Sequence, residues 1–128
     1  RYPVDIVYFK TAESGGKVIH PTQKPVDLGR YFIRTYTNPG DIVLDNAFGS
    51  GSFLVAALLE GRNFVGIERN RETELRNEKI DYVVSATERL GEAWNKMDGK
   101  TKESVRVINL IRDFEDGVEN LPGTFVDI

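Results

Sequence analysis

The stretch Val43-Leu44-Asp45-Asn46-Ala47-Phe48-Gly49-Ser50-Gly51-Ser52-Phe53-Leu54 constrains the fold more than any other part of the chain. A short apolar run ends on an acid, passes through a glycine-serine-glycine turn and opens into an apolar helix. Strand, tight loop and helix N-terminus in succession begin a βαβ unit. In an open α/β sheet, small ligands sit at the carboxyl ends of strands, beneath such a helix N-terminus.

The flanking segments extend this pattern. Asp5 to Phe9 reads as a short strand, rich in β-branched and aromatic residues, and Lys10 to Lys17 as a loop. In His20-Pro21-Thr22-Gln23-Lys24-Pro25 two prolines delay regular structure until Pro25, which suits the first position of a helix. Leu28, Phe32, Ile33 and Tyr36 recur at helical spacing, and Thr37-Asn38-Pro39-Gly40 ends that helix. Asp41 to Asp45 is a short run consistent with a buried strand, where length favours a strand over a helix and periodicity alone does not decide. Ser52 to Glu60 reads as a helix buried on most sides, Gly61 as its C-terminal cap and Asn63 to Glu68 as the next strand. Beyond Glu68, the periodicity of Ile80, Val83, Val84, Leu90 and Trp94 predicts one amphipathic helix from about Glu72 to Trp94. Val107, Ile108, Ile111 and Phe114 predict another helix, and Thr124 to Ile128 a last short strand.

Composition narrows the class. The 128 residues amount to one domain, and a net charge of −3 carries no whole-chain basic signature. The absence of cysteine leaves no disulfide framework, thiol nucleophile or cysteine zinc site. No apolar run reaches the length of a membrane span, so a soluble, cytoplasmic protein without membrane contact is expected. The first residue is Arg1 rather than Met, which suggests a piece of a longer protein.

Three ligand classes fit a glycine-serine-glycine turn. A phosphate-binding P-loop needs a lysine after the last glycine, and Gly51 is followed by Ser52-Phe53. A dinucleotide fingerprint needs a third glycine where Leu54 stands. S-adenosylmethionine has no phosphate and needs no lysine at the turn. Its ammonium and sulfonium favour a carboxylate such as Asp45, and its ribose hydroxyls favour an acid at the next strand end, Glu68. The plainer alternative is that both acids cap strands and the glycines serve only a turn. The combined spacing points to a nucleotide-like ligand.

Three segments then occur in a familiar order: His20-Pro21-Thr22-Gln23-Lys24-Pro25, Asp45-Asn46-Ala47-Phe48-Gly49-Ser50-Gly51-Ser52 and Phe64-Val65-Gly66-Ile67-Glu68. Over about residues 1 to 70 the chain resembles the β-class DNA amino-methyltransferases. That family methylates adenine N6 or cytosine N4 with S-adenosylmethionine. The resemblance implies a partial doubly wound, mostly parallel α/β sheet of Rossmann-like methyltransferase type with extra C-terminal helices. The break at Asp98-Gly99 divides the chain into a cofactor-binding part, 1–97, and a helical extension, 98–128. The resemblance implies a cofactor site of Thr22, Lys24, Asp45, Phe48, Gly49, Ser50, Gly51, Ser52 and Glu68. Gly49 and Gly51 form the cradle, Glu68 binds the ribose, and Lys24 pairs with the methionine carboxylate. His20 is expected to order its own loop.

The chain departs from the family pattern at Asn46 and Ala47, where proline and phenylalanine are common, and at Ser52, where threonine is commoner. The family's Asp/Asn-Pro-Pro-aromatic signature, which binds the base to be methylated, is absent, since no two prolines are adjacent. The expectation is therefore the cofactor-binding half of a methyltransferase, with no catalytic residue and no metal site of its own. The intact protein would act on double-stranded DNA, in a restriction-modification setting. The missing N-terminal half, or self-association, would cover the open edge of the Asp45 strand. The alternative is a catalytically inactive module with a structural or protein-interaction role. Residues Lys102 to Ile128 are expected to extend the packing or to dock a partner.

Overall fold

The computed structural model describes residues 5–12, 18–20, 22–69, 73–75, 78–114 and 117–120. The chain is α/β. Helix α1 (Val26–Tyr36) leads through the Pro39-Gly40 turn to strand β1 (Ile42–Asp45), helix α2 (Ser52–Leu59) and strand β2 (Asn63–Glu68). These bounds match the helix, strand, helix and strand expected there. Pro25 is the cap of α1 rather than its first residue. A small hairpin follows, β3 (Thr73–Leu75) and β4 (Glu78–Ile80). Then come α3 (Tyr82–Lys96), the short α4 (Gly99–Lys102), β5 (Ile108–Phe114) and β6 (Gly117–Asn120).

The main sheet has the order β1-β2-β5-β6. β1, β2 and β5 are parallel, and β6 runs antiparallel to β5. Both parallel connections step the same way across the sheet. Right-handed crossovers taken in one direction place their helices on one face. α2 packs on β1 and β2, while α1 and α3 pack against α2. The core lies between this helical layer and the sheet, with Leu54, Leu58, Phe64, Val83, Val105 and Leu110 fully buried. α2 carries no charge, and Leu54 to Leu58 are all buried, as a helix wedged between two others and a sheet requires.

β1 shows where this sheet stops. Val43 packs toward the core, whereas Ile42 and Leu44, on the opposite face, are each 64% exposed. β1 has a single neighbour, β2, so its other edge is open among the described residues. Side chains on a strand alternate between faces, so one face of β1 is finished and the other is not. The full doubly wound arrangement, with helices on both faces, is not seen in the described residues.

Three sequence-based expectations are corrected. Asp5–Phe9 is not a strand: it finds no partner strand among the described residues, and Ile6 and Tyr8 are almost fully exposed. Phe9 instead packs edge-on against Tyr31 of α1, with ring centroids 5.9 Å apart. The long helix from about Glu72 is two elements, hairpin then helix. Asp81 makes the break, its carboxylate accepting from the Val84 N–H at 3.0 Å as an N-cap. The helix expected over Val107 to Phe114 is β5, paired from Ile108 to Arg112 with β2, so among the described residues beyond 98 the chain adds strands β5 and β6 to the sheet after the short α4. A short, β-branched apolar run fits either period, and the adjacent edge of β2 decides for a strand. The strand expected over Thr124–Ile128 lies outside the described residues.

At the end of the sheet remote from the Gly49–Gly51 turn, side chains bind the connections together. Asn63 Nδ2 donates to the Gly40 carbonyl at 2.6 Å, and its Oδ1 accepts from the Val107 N–H at 2.7 Å. Arg62 donates to the Thr37 carbonyl at 2.6 Å and the Glu60 carbonyl at 2.5 Å. Buried polar groups with such partners cost little, and they hold β1, β2 and β5 in register.

Candidate functional site

Asp45 and Glu68 end adjacent parallel strands. The register pairs Asp45 with Gly66, so Glu68 extends two residues further. The chain leaves β1 through Asn46 and Ala47 and folds back over the end of β2. The Phe48 N–H donates to the Ile67 carbonyl at 3.2 Å, and the Gly49 N–H to Glu68 Oε2 at 2.7 Å. The Gly51 N–H closes the turn onto the Phe48 carbonyl at 2.8 Å. Gly51 then caps α2 in the left-handed region, at φ +76. A glycine meets that geometry without the penalty a side chain carries.

The His20 segment lies on this loop. A Cβ at Gly49 would stand 3.0 Å from His20 Cδ2, so the ring approaches only because position 49 has no side chain. His20 also tilts against Tyr82 of α3, with centroids 4.8 Å apart. Its Nδ1 accepts from the Thr22 N–H at 3.1 Å, and its carbonyl accepts from the Gln23 N–H at 3.0 Å. His20 therefore orders its own turn, as expected.

Between loop and turn lies a cleft of about 190 Å³. Thr22, Lys24, Asp45, Phe48, Gly49, Ser50 and Ser52 line it. Gly51 stands behind it, buried against α3, and Glu68 meets it through Gly49. The nine expected site residues are thus gathered around one loop. Phe48 is chiefly a core residue, 5% exposed, its ring packed over Gly66. A larger cavity of about 660 Å³ adjoins the cleft through Gln23 and Lys24, and residues 8–12 and Arg89 also line it.

Electrostatically the cleft favours a cation beside Asp45. Burial pushes the Asp45 carboxyl above the usual carboxylate range; the Ala47 N–H partly offsets this, and the Glu68 charge adds to it. Asp45 has no ion pair among the described residues. A carboxyl raised on folding contributes stability below its ordinary pKa, and that contribution is lost as pH rises through the folded value. At neutral pH the Asp45 charge therefore costs the free chain stability, and a bound cation would relieve that cost.

Arg89 was not legible as a site residue. Its Nη1 donates to the Ser50 carbonyl at 2.5 Å and lies 3.2 Å from Ser52 Oγ. The one signal in the sequence is a cation at position 89, on the same helical stripe as Tyr82 and Ala86.

Comparison with known proteins decides the family. A family model described as DNA methylase, of the N6/N4 type, matches residues 2–78, more than half of the chain. The chain belongs to the DNA methylase family. It is 53% identical over 49 residues to the Escherichia coli (strain K12) protein named "Putative methylase YubD", a match covering 38% of this chain and 22% of that relative. It is 46% identical over 56 residues to the Type II methyltransferase M1.MboII of Moraxella bovis, covering 44% of this chain and 22% of that relative. The matched stretch is thus about a fifth of each relative's length. The DNA methylase match spans the His20 turn, the glycine loop and both strand-end acids, the segments that build the cleft.

Proposed function

We propose that this chain forms the methyl-donor half of a DNA N-methyltransferase and binds S-adenosylmethionine in the cleft between the Gly49–Gly51 loop and the His20 turn. The observation that carries this reading is the half-buried Asp45, without a cationic partner among the described residues, beside Glu68 and a loop that a Cβ would obstruct. Such a site suits a ligand with a positive centre and vicinal hydroxyls. Asp45 faces the cationic end, Glu68 accepts from the ribose, Thr22 and Lys24 hold the amino-acid carboxylate, and Gly49, Ser50, Gly51 and Ser52 form the cradle. When bound, the cofactor supplies a sulfonium methyl group, electrophilic toward the exocyclic amino nitrogen of adenine or cytosine. The chain's own residues orient that donor, while the acceptor base is held elsewhere, since the adjacent-proline motif is absent. Double-stranded DNA as substrate, a restriction-modification setting and a cytoplasmic location belong to the same reading. No described helix is long and apolar enough to cross a membrane.

Titration calorimetry with S-adenosylhomocysteine tests the site. The wild-type chain is expected to bind, and Glu68→Ala to weaken binding about ten- to hundredfold, the value of a charge-assisted hydrogen bond. Equal affinity for both proteins sinks the assignment of Glu68. No binding by the wild type favours the inactive structural module instead.

The open edge of β1 belongs to the same proposal. In an open α/β sheet the ligand crevice lies where the strand order reverses. A sheet that grows from β1 in one direction supplies only one wall of that crevice. The missing half of the methyltransferase completes the doubly wound sheet on this edge, and in its absence a second copy covers it. Light scattering is expected to show dimers, with slow deuterium uptake along Ile42–Leu44. A monomer with rapid uptake there contradicts the proposal.

A further inference from the structure

We propose that Arg89 is a positioning residue for the methyl-donor loop, holding the Ser50–Gly51 peptide in a single orientation; this rests on the cofactor site proposed above. The argument begins with α3. Tyr82, Ala86 and Arg89 stand at i, i+4 and i+7, one face of the helix, and each meets the site. Tyr82 supports the His20 ring, and Ala86 lies where a Cβ on Gly51 would approach to 2.9 Å. One turn further on, Arg89 reaches the Ser50 carbonyl and the Ser52 hydroxyl.

The bonds at this point belong to one peptide unit. Its carbonyl oxygen, on Ser50, accepts from Arg89 Nη1 at 2.5 Å. Its N–H, on Gly51, donates to the Phe48 carbonyl at 2.8 Å. A peptide preceding glycine flips readily, because glycine populates both signs of φ at similar cost. Here both ends are tied, and Gly51 stays at φ +76. The flipped peptide would turn the Ser50 carbonyl away from α3 and break both bonds.

Arg89 is an expensive way to stabilise a turn. The guanidinium is half-buried and makes no ion pair with a carboxylate among the described residues. A cation taken from water without a carboxylate in contact costs stability, and the nearby Glu92 charge offsets only part of that burial. Its hydrogen bonds go to the Ser50 carbonyl and the Ser52 hydroxyl, so they act on loop geometry. A loop already in its bound shape loses less entropy when ligand arrives.

The test compares wild type, Arg89→Lys and Arg89→Met by deuterium exchange at single-residue resolution and by calorimetry with S-adenosylhomocysteine. Arg89→Met is expected to speed exchange of the Gly51 amide about tenfold, with the core amides of Leu58 and Phe64 unchanged, and to weaken ligand binding about tenfold. Arg89→Lys, which keeps a charged donor, is expected to recover most of both. Wild-type exchange at Gly51 in Arg89→Met overturns the inference. So does a parallel rise at Leu58 and Phe64, which assigns Arg89 to general stability. If the wild type binds no ligand, the cofactor reading fails, and the exchange comparison still decides whether Arg89 holds the peptide.

Discussion

Gly51→Val is expected to abolish ligand binding and to lower the stability of the chain by about 3–5 kcal/mol. Two penalties combine. Gly51 sits at φ +76, where a β-branched residue is strained. Its Cβ would also come within 2.9 Å of Ala86 Cβ and 3.6 Å of Ala86 Cα. The neighbour is the root of a helix rather than a flexible side-chain tip, so α3 must move as a body. That movement draws Tyr82 from His20 and Arg89 from the Ser50 carbonyl, so the wall and the cradle of the cleft fail together. Urea denaturation followed by circular dichroism checks the stability, and calorimetry with S-adenosylhomocysteine checks the binding. Gly51→Ala, with the same first contact and no branching, is expected to cost less. A wild-type denaturation midpoint for the valine variant would show that α3 does not pack against the loop this closely.

Gly66→Val, in the middle of β2, should cost about as much in stability for a different reason. This glycine has no unusual backbone to defend. Its value is space: an added Cβ would lie 2.6 Å from Leu54 Cδ1, 2.9 Å from Phe48 Cδ1 and 3.0 Å from Leu110 Cδ2. Those side chains come from α2, the loop and β5, and they close over the strand where no side chain intervenes. Overpacking of a filled core typically costs about 1–3 kcal/mol, and a valine adds two methyl groups beyond the first contact. Alanine at position 66 is expected near the lower end of that range and valine at or above its upper end. A melting temperature unchanged in both variants would contradict the packing. Because Phe48 is one of the displaced side chains, ligand affinity should fall along with stability, whereas Glu68→Ala should lose affinity with only the smaller stability loss of one hydrogen bond, that from the Gly49 N–H.

The parts of the fold legible beforehand were those whose cause is local. The Val43–Leu54 stretch specified strand, turn and helix through apolar runs and glycine placement, and α1 followed from Pro25 and its apolar spacing. Both strand-end acids, the glycines and the His20 turn were visible because each residue type carries its reason with it. An acid closes a strand, a glycine permits a left-handed turn, and a proline delays a helix. The family resemblance rested on the same residues.

Elsewhere the deciding partner was distant in the chain. Val107–Phe114 suits a helix or a strand, and only the free edge of β2, more than forty residues earlier, made it β5. Asp5–Phe9 has the composition of a strand but no neighbour to pair with among the described residues. Arg89 lies 39 residues from the Ser50 carbonyl, and no periodicity links them. Local chemistry determines the turns, caps and apolar faces, since the interactions lie within a few residues. Strand pairing and the tethering of one peptide by a remote cation depend on which surfaces the packed helices bring together, and those exist only once the sheet has formed.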